Sequence, residues 1–198
     1  MESSGTRQAA TEARKAQIAA AAIAVLAERG YAETTFDSIC ERAGLSSKRL
    51  ISYHFSTKDQ LFEAVVRQVV TDAAAFMRPA IEAASGARAQ LEAFIRANVA
   101  FIAAHPAHVR AVQQIAFNRT PVGGGERDAA IGRLAALFED GRRTGAFRAF
   151  DSVLMAMALR AAIDAVADGV AGGLDPGRCA TELVDLFDRA TAKTPSPS

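Results

Sequence analysis

Apolar residues recur at helical spacing along nearly the whole chain. Ile18, Ala22, Val25 and Leu26 fall at i, i+4, i+7 and i+8, a stripe that predicts a first helix from about Thr11 until Gly30 stops it. A short second helix is predicted from Phe36 to Ala43, capped by Thr34 or Thr35, with Phe36, Ile39 and Cys40 turned inward. Gly44 supplies a sharp turn. Ser46 or Ser47 caps a third helix reaching about His54, in which Ile51 and Phe55 stand four apart and point at the same core. Thr57 with Gln60 forms a capping box for a fourth helix, whose stripe includes Leu61, Phe62, Val65, Val66 and Val69 and which bends or ends near Pro79.

Beyond this point the predicted helices are longer. Leu91, Phe94, Ile95, Phe101 and Ile102 mark one that runs to His105 and is broken by Pro106, and Val109, Val112 and Phe117 mark the next. Pro121 and the glycines 123–125 predict a mobile loop from Thr120 to Gly125. Ile131, Leu134, Ala135 and Phe138 define a helix up to about Arg143. From Ser152 to Val170 the chain is apolar nearly all round except for the line Arg160, Asp164, Asp168, the pattern of a helix covered on more than one side. Asp175 and Pro176 open the last helix, with the stripe Cys179, Leu183, Leu186, Phe187 and Ala190, and the tail from Thr194 is expected to be disordered. No strand alternation or internal repeat is present. The expected fold class is therefore all-α, with about nine helices.

Composition narrows the function classes. Half of the 198 residues are hydrophobic, much of that alanine, and tryptophan is absent, which favours helix over sheet. The net charge of +1 excludes a polycation, so any nucleic-acid affinity requires a locally basic surface. Cys40 and Cys179 are too isolated for a disulfide framework and read as small buried hydrophobes. The polar start from Met1 to Gln17 lacks the apolar core of a signal peptide, and no stretch reaches about 20 apolar residues, so a soluble cytoplasmic protein is expected. No paired carboxylates or nucleophile with base argue for an enzyme. His105 and His108 are separated by the helix-breaking Pro106 with no further ligands beside them, and the glycines 123–125 lack the lysine and hydroxyl of a phosphate cradle; neither a metal nor a cofactor is expected.

The second and third helices, joined at Gly44, have the lengths of a helix-turn-helix, whose second helix enters the major groove of DNA while the first lies across the backbone. From Arg42 to Lys58 there are four basic residues (Arg42, Lys48, Arg49 and Lys58) and no acidic one. The cationic surface falls where phosphates would lie. The run Gly30, Tyr31, Thr34, Thr35, Ile39, Ala43, Gly44, Leu45, Ser46, then Tyr53, His54, Phe55, Lys58 and Leu61 resembles the N-terminal signature of the TetR family of repressors, over roughly residues 15–65.

That resemblance implies an N-terminal arm and helix-turn-helix head over residues 1–58, a helical ligand-binding and dimerisation domain over 59–193 and a tail over 194–198. It implies a homodimer, paired through the last two long helices, that represses from a near-palindromic double-stranded operator until a small-molecule effector binds. By the same resemblance Ser46 and Ser47 open the recognition helix. Ser47, Lys48 and Arg49, with Ser52 one turn on, are placed for base edges, Arg49 suiting a guanine and Lys48 either a base or a phosphate. Tyr53, His54 and Lys58 match backbone-contacting positions, His54 reading equally as a simple helix-end residue, and Thr35 can add a hydroxyl to the same strand. One departure stands out: Gly44 to Phe55 is one residue longer than the family's usual spacing, which leaves open which residues read bases.

For the effector, Asn98 and His105 intrude on the apolar stripe of Leu91, Phe94 and Phe101 or Ile102, so either they line a pocket with Met77, Phe117 and Met155, or His105 merely binds the last carbonyls of its helix. The other reading of the whole chain is a helical small-molecule carrier or interaction scaffold with a degenerate DNA-binding head. The operator, the effector, the regulated genes and the choice between repression and activation are not written in the residues.

Overall fold

The computed structural model describes residues 2–118 and 125–193, which form nine helices and no strand: α1 (Glu2–Arg29), α2 (Phe36–Ala43), α3 (Arg49–His54), α4 (Lys58–Ala83), α5 (Ala87–Ala104), α6 (Pro106–Asn118), α7 (Gly125–Arg143), α8 (Ser152–Ala171) and α9 (Pro176–Thr191). The tail from Thr194 and residues 120–124 of the loop expected from Thr120 to Gly125 lie outside the described residues, while Gly125 opens α7. The helices divide into two compact units, with α4 contributing to both.

The first unit takes the chain up to Asp72 and adds α6. Its core is the predicted stripe of α1, where Ile18, Ala22, Val25 and Leu26 are buried, together with Ile39, Ile51, Phe55, Leu61, Phe62 and Val65. α1 begins well before Thr11, whose hydroxyl donates to the Arg7 carbonyl at 3.0 Å from inside the helix. The added turns carry no apolar stripe, and residues 5–10 are exposed, so no burial holds this extension. α6 was not legible as part of this core: Ala111 and Ile115 are buried, and the helix packs on α1. Phe117, expected on the inward stripe, is 92% exposed. It lies two residues beyond Ile115, about 200° round the helix.

The second unit packs α5, α7, α8 and α9. Leu91, Ile95, Val99, Leu134, Phe138, Ala156, Leu159, Ile163, Leu183 and Phe187 are buried in it. The Phe138, Phe147 and Phe150 rings cluster with centroids 5.6–6.2 Å apart. Gly141 permits that cluster, since a Cβ there would lie 2.1 Å from the Phe147 ring. Asp175 caps α9 by accepting the Arg178 N–H, with Pro176 in the first turn, as the sequence predicts. Two expectations are corrected. Of the bend or end expected near Pro79, the end does not occur: α4 continues to Ala83, the proline removing one N–H from its hydrogen-bond ladder. Leu186, placed on the inward stripe of α9, is 57% exposed, and Ala180 and Thr191 sit inside with Leu183 and Phe187.

Candidate nucleic-acid interface

The turn between α2 and α3 is built by local hydrogen bonds. Thr35 caps α2, its hydroxyl oxygen accepting the Ser38 N–H at 3.1 Å while the Ser38 hydroxyl oxygen accepts the Thr35 N–H at 2.9 Å. At the far end Gly44 takes the left-handed conformation (φ 63°, ψ 32°) and its N–H returns to the last carbonyls of α2. Leu45 N–H adds a 3.0 Å bond to the Cys40 carbonyl. Ile51 and Phe55 then anchor α3 in the core, and this fixes which side chains α3 turns outward.

The recognition helix starts later than predicted, at Arg49. Ser46 and Ser47 precede it; the Ser47 hydroxyl accepts the Arg49 N–H at 3.2 Å and its carbonyl accepts the Leu50 N–H at 3.1 Å. Ser46, Lys48, Arg49, Ser52 and Tyr53 are exposed, Ser47 and His54 half-buried. Tyr53 is 82% exposed, edge-on to the His54 ring at 5.1 Å. His54 in turn lines a cleft of about 460 Å³ with Ala16 and Ala19 of α1 and Ala64 and Arg67 of α4; none of the expected effector residues lines this cleft.

The four cations of this edge are not equivalent. Arg42 is clasped by both oxygens of Glu28 at 2.6 and 2.8 Å, and Lys48 reaches Asp37 at 3.1 Å. These carboxylates come from α1 and α2, so the absence of acidic residues between Arg42 and Lys58 did not reveal them. Among the described residues none bonds the Arg49 guanidinium. Lys58 donates to the Tyr31 carbonyl at 3.3 Å and lies over the Tyr31 and Phe62 rings, 4.6 and 5.2 Å from their centroids. Burial pushes its ammonium below the ordinary lysine value, partly opposed by the Asp59 carboxylate. The Thr35 hydroxyl is engaged in the cap of α2.

The effector candidates are distributed between the units. Met77, Phe94, Asn98, Phe101 and Met155 belong to the second, His105 and Phe117 to the first. Phe101 and Asn98 are buried, and the Asn98 amide donates to the Phe94 carbonyl at 3.2 Å. His105 meets His108 edge-on at 5.3 Å, and His108 Nε2 lies 3.2 Å from an Asp72 oxygen. No group of three or more metal-ligating side chains occurs among the described residues. No helix among them is long and apolar enough to cross a membrane.

Residues 18–65 match the family model for bacterial regulatory proteins of the tetR family. Over 88 residues the chain is 36% identical to the HTH-type transcriptional regulator BetI of Paraburkholderia phymatum, a match that spans 44% of each protein and so under half the length of that relative. A TetR-like transcriptional regulator from Rhodococcus sp. RHA1 is similar along most of its length, with a TM-score of 0.70 and 29% identity over 89% of this chain and 94% of that one. A regulatory protein in the tetR family from Rhodococcus RHA1 gives a TM-score of 0.71 and 25% identity over 91% and 98%. Together these matches support a TetR family transcriptional regulator, with the family model confined to residues 18–65.

Proposed function

We propose that this protein is a cytoplasmic transcription regulator, a repressor that binds a near-palindromic operator as a homodimer and is released by a small-molecule effector. The observation that carries the DNA-binding reading is the exposed face of α3: the Arg49 guanidinium stands without a bonding partner among the described residues, between exposed Ser46, Lys48, Ser52 and Tyr53, on a helix held rigid by Ile51 and Phe55. An unpaired guanidinium there costs no ion pair when it meets a guanine edge or a phosphate. Tyr53, His54 and Lys58 serve the phosphates, and Lys48 joins them by leaving Asp37.

Pairing through α8 and α9 is supported by the apolar side chains those helices leave outside, namely Val153, Leu154 and Met157 on α8 and Leu186 on α9, each at least half exposed. Two helices from each subunit can bury such faces as a four-helix bundle. The effector site draws on Asn98 and Phe101 with Met77, Phe94 and Met155, an apolar set with one placed amide. Selection of bound duplexes from a random pool tests the reading. It predicts enrichment of one near-palindrome whose half-sites are about one helical turn, ~34–36 Å, apart. A pool that stays unenriched refutes it.

A further inference from the structure

We infer that Gln114, on α6 and remote in sequence from the helix-turn-helix, is a positioning residue for the DNA-contacting lysine Lys58; this rests on the DNA-binding reading above. Three contacts in the first unit make the connection. The Gln114 side-chain oxygen accepts the Tyr31 N–H at 3.1 Å. Tyr31 belongs to the turn that follows α1, where Gly30 has a φ of 80° and the Thr34 hydroxyl donates to the Gly30 carbonyl at 2.7 Å. The carbonyl of the same Tyr31 accepts the Lys58 ammonium at 3.3 Å, and its ring lies 4.6 Å beneath it. One peptide group on each side of a single residue therefore joins α6 to Lys58.

The Tyr31 ring packs on Phe62 of α4 at 5.2 Å and its carbonyl also accepts the Thr34 N–H, a bond internal to the turn; Gln114 is what ties the Tyr31 N–H to α6. The Gln114 side-chain oxygen also lies beside Gly30, where an added Cβ would meet it at an ordinary contact distance of 3.5 Å. Removing the acceptor leaves a part-buried N–H unpaired and frees the turn to shift, carrying the carbonyl and ring that aim the ammonium. A lysine holds a phosphate as a point charge at the end of four rotatable carbons, so its contribution depends on that aim.

The experiment is a double-mutant cycle on the full chain, with a labelled duplex carrying the sequence enriched by selection. Gln114→Met keeps length and helix propensity but removes the amide oxygen, and Gln114→Ala is a second truncation should Gln114→Met fail a thermal melt. Alone, either substitution is expected to weaken binding ~3- to 10-fold, the effect of losing one hydrogen bond's worth of alignment. It also lowers the dependence of log affinity on log salt toward that of Lys58→Ala, by up to about 0.9 per subunit. Combined with Lys58→Ala it adds nothing further, because the group it positions is gone. A purely structural role for Gln114 would instead leave the salt slope at the wild-type value and weaken the Lys58→Ala protein by the full factor; that result overturns the inference. If the wild-type protein binds no duplex, the DNA-binding reading has failed before any variant is made.

Discussion

Replacing Gly44 by alanine isolates the backbone strain that the helix-turn-helix requires. The residue sits at φ 63° and ψ 32°, and an added Cβ would have no heavy atom within 4 Å. Steric crowding therefore contributes nothing, and the hydrogen bonds of the turn need not change. What remains is the cost of holding an L-side chain in the left-handed region, ~1–2 kcal/mol. Against this, alanine restricts the unfolded chain more than glycine does, which offsets ~0.4–1 kcal/mol. The net loss expected is about 1 kcal/mol, a fall in Tm of roughly 2–4 °C for a chain of this size. Urea unfolding followed by helical circular dichroism measures it, with Gly44→Asn as a milder companion because asparagine tolerates this conformation better. A loss above about 3 kcal/mol would reveal crowding that the geometry denies, and a gain would show that the turn is not left-handed.

Gly141 provides the opposite case: its Cβ would strike the Phe147 ring at 2.1 Å and Ala87 at 2.9 Å, so Gly141→Ala is expected to cost ~3 kcal/mol or more in the same assay despite its better helix propensity. Arg49→Ala should relax sequence preference, at ~1–3 kcal/mol per half-site, whereas Lys58→Ala should weaken all duplexes alike; equal effects in a competition assay would sink this division of roles. Lys58 also predicts a pH dependence. Its folded pKa lies below 10.5, so the free protein loses this proton before an ordinary lysine does, while a phosphate favours the charged form. DNA affinity should therefore fall as pH rises through that lowered value, and Lys58→Arg should hold its affinity over the same range; identical alkaline limbs would contradict the assignment. For stability the sign is reversed: below the folded pKa the unfolded chain holds the charge more easily, and this penalty is relieved as pH rises from the folded pKa toward 10.5.

Short-range signals carried most of the architecture. The Ile18, Ala22, Val25, Leu26 stripe, the Thr35 cap, the Ile51 and Phe55 pair and the Asp175–Pro176 start each depend on residues within two turns of one another, and each is found where spacing places it. Thr57 accepts the Gln60 N–H as a capping box requires, although the Gln60 side chain reaches back to Ser56 instead. Features set by distant partners were not legible. The Arg42 and Lys48 carboxylates lie 14 and 11 residues away, and the Gln114 to Tyr31 bond spans 83. Single apolar residues near a stripe's edge, Phe117 and Leu186, turned outward because neighbouring positions filled the available core. At the candidate interface, residue types and order were readable, but which cations are already neutralised was not, since that depends on α1 and α2.

On the proposed function, a local cationic edge grips DNA phosphates although the chain's net charge is only +1. Affinity for a duplex measured across a salt series tests it most directly. With about six to ten phosphates neutralised by a dimer, binding should weaken ~10³- to 10⁵-fold between 50 and 200 mM salt. Affinity that stays level over that range would contradict it.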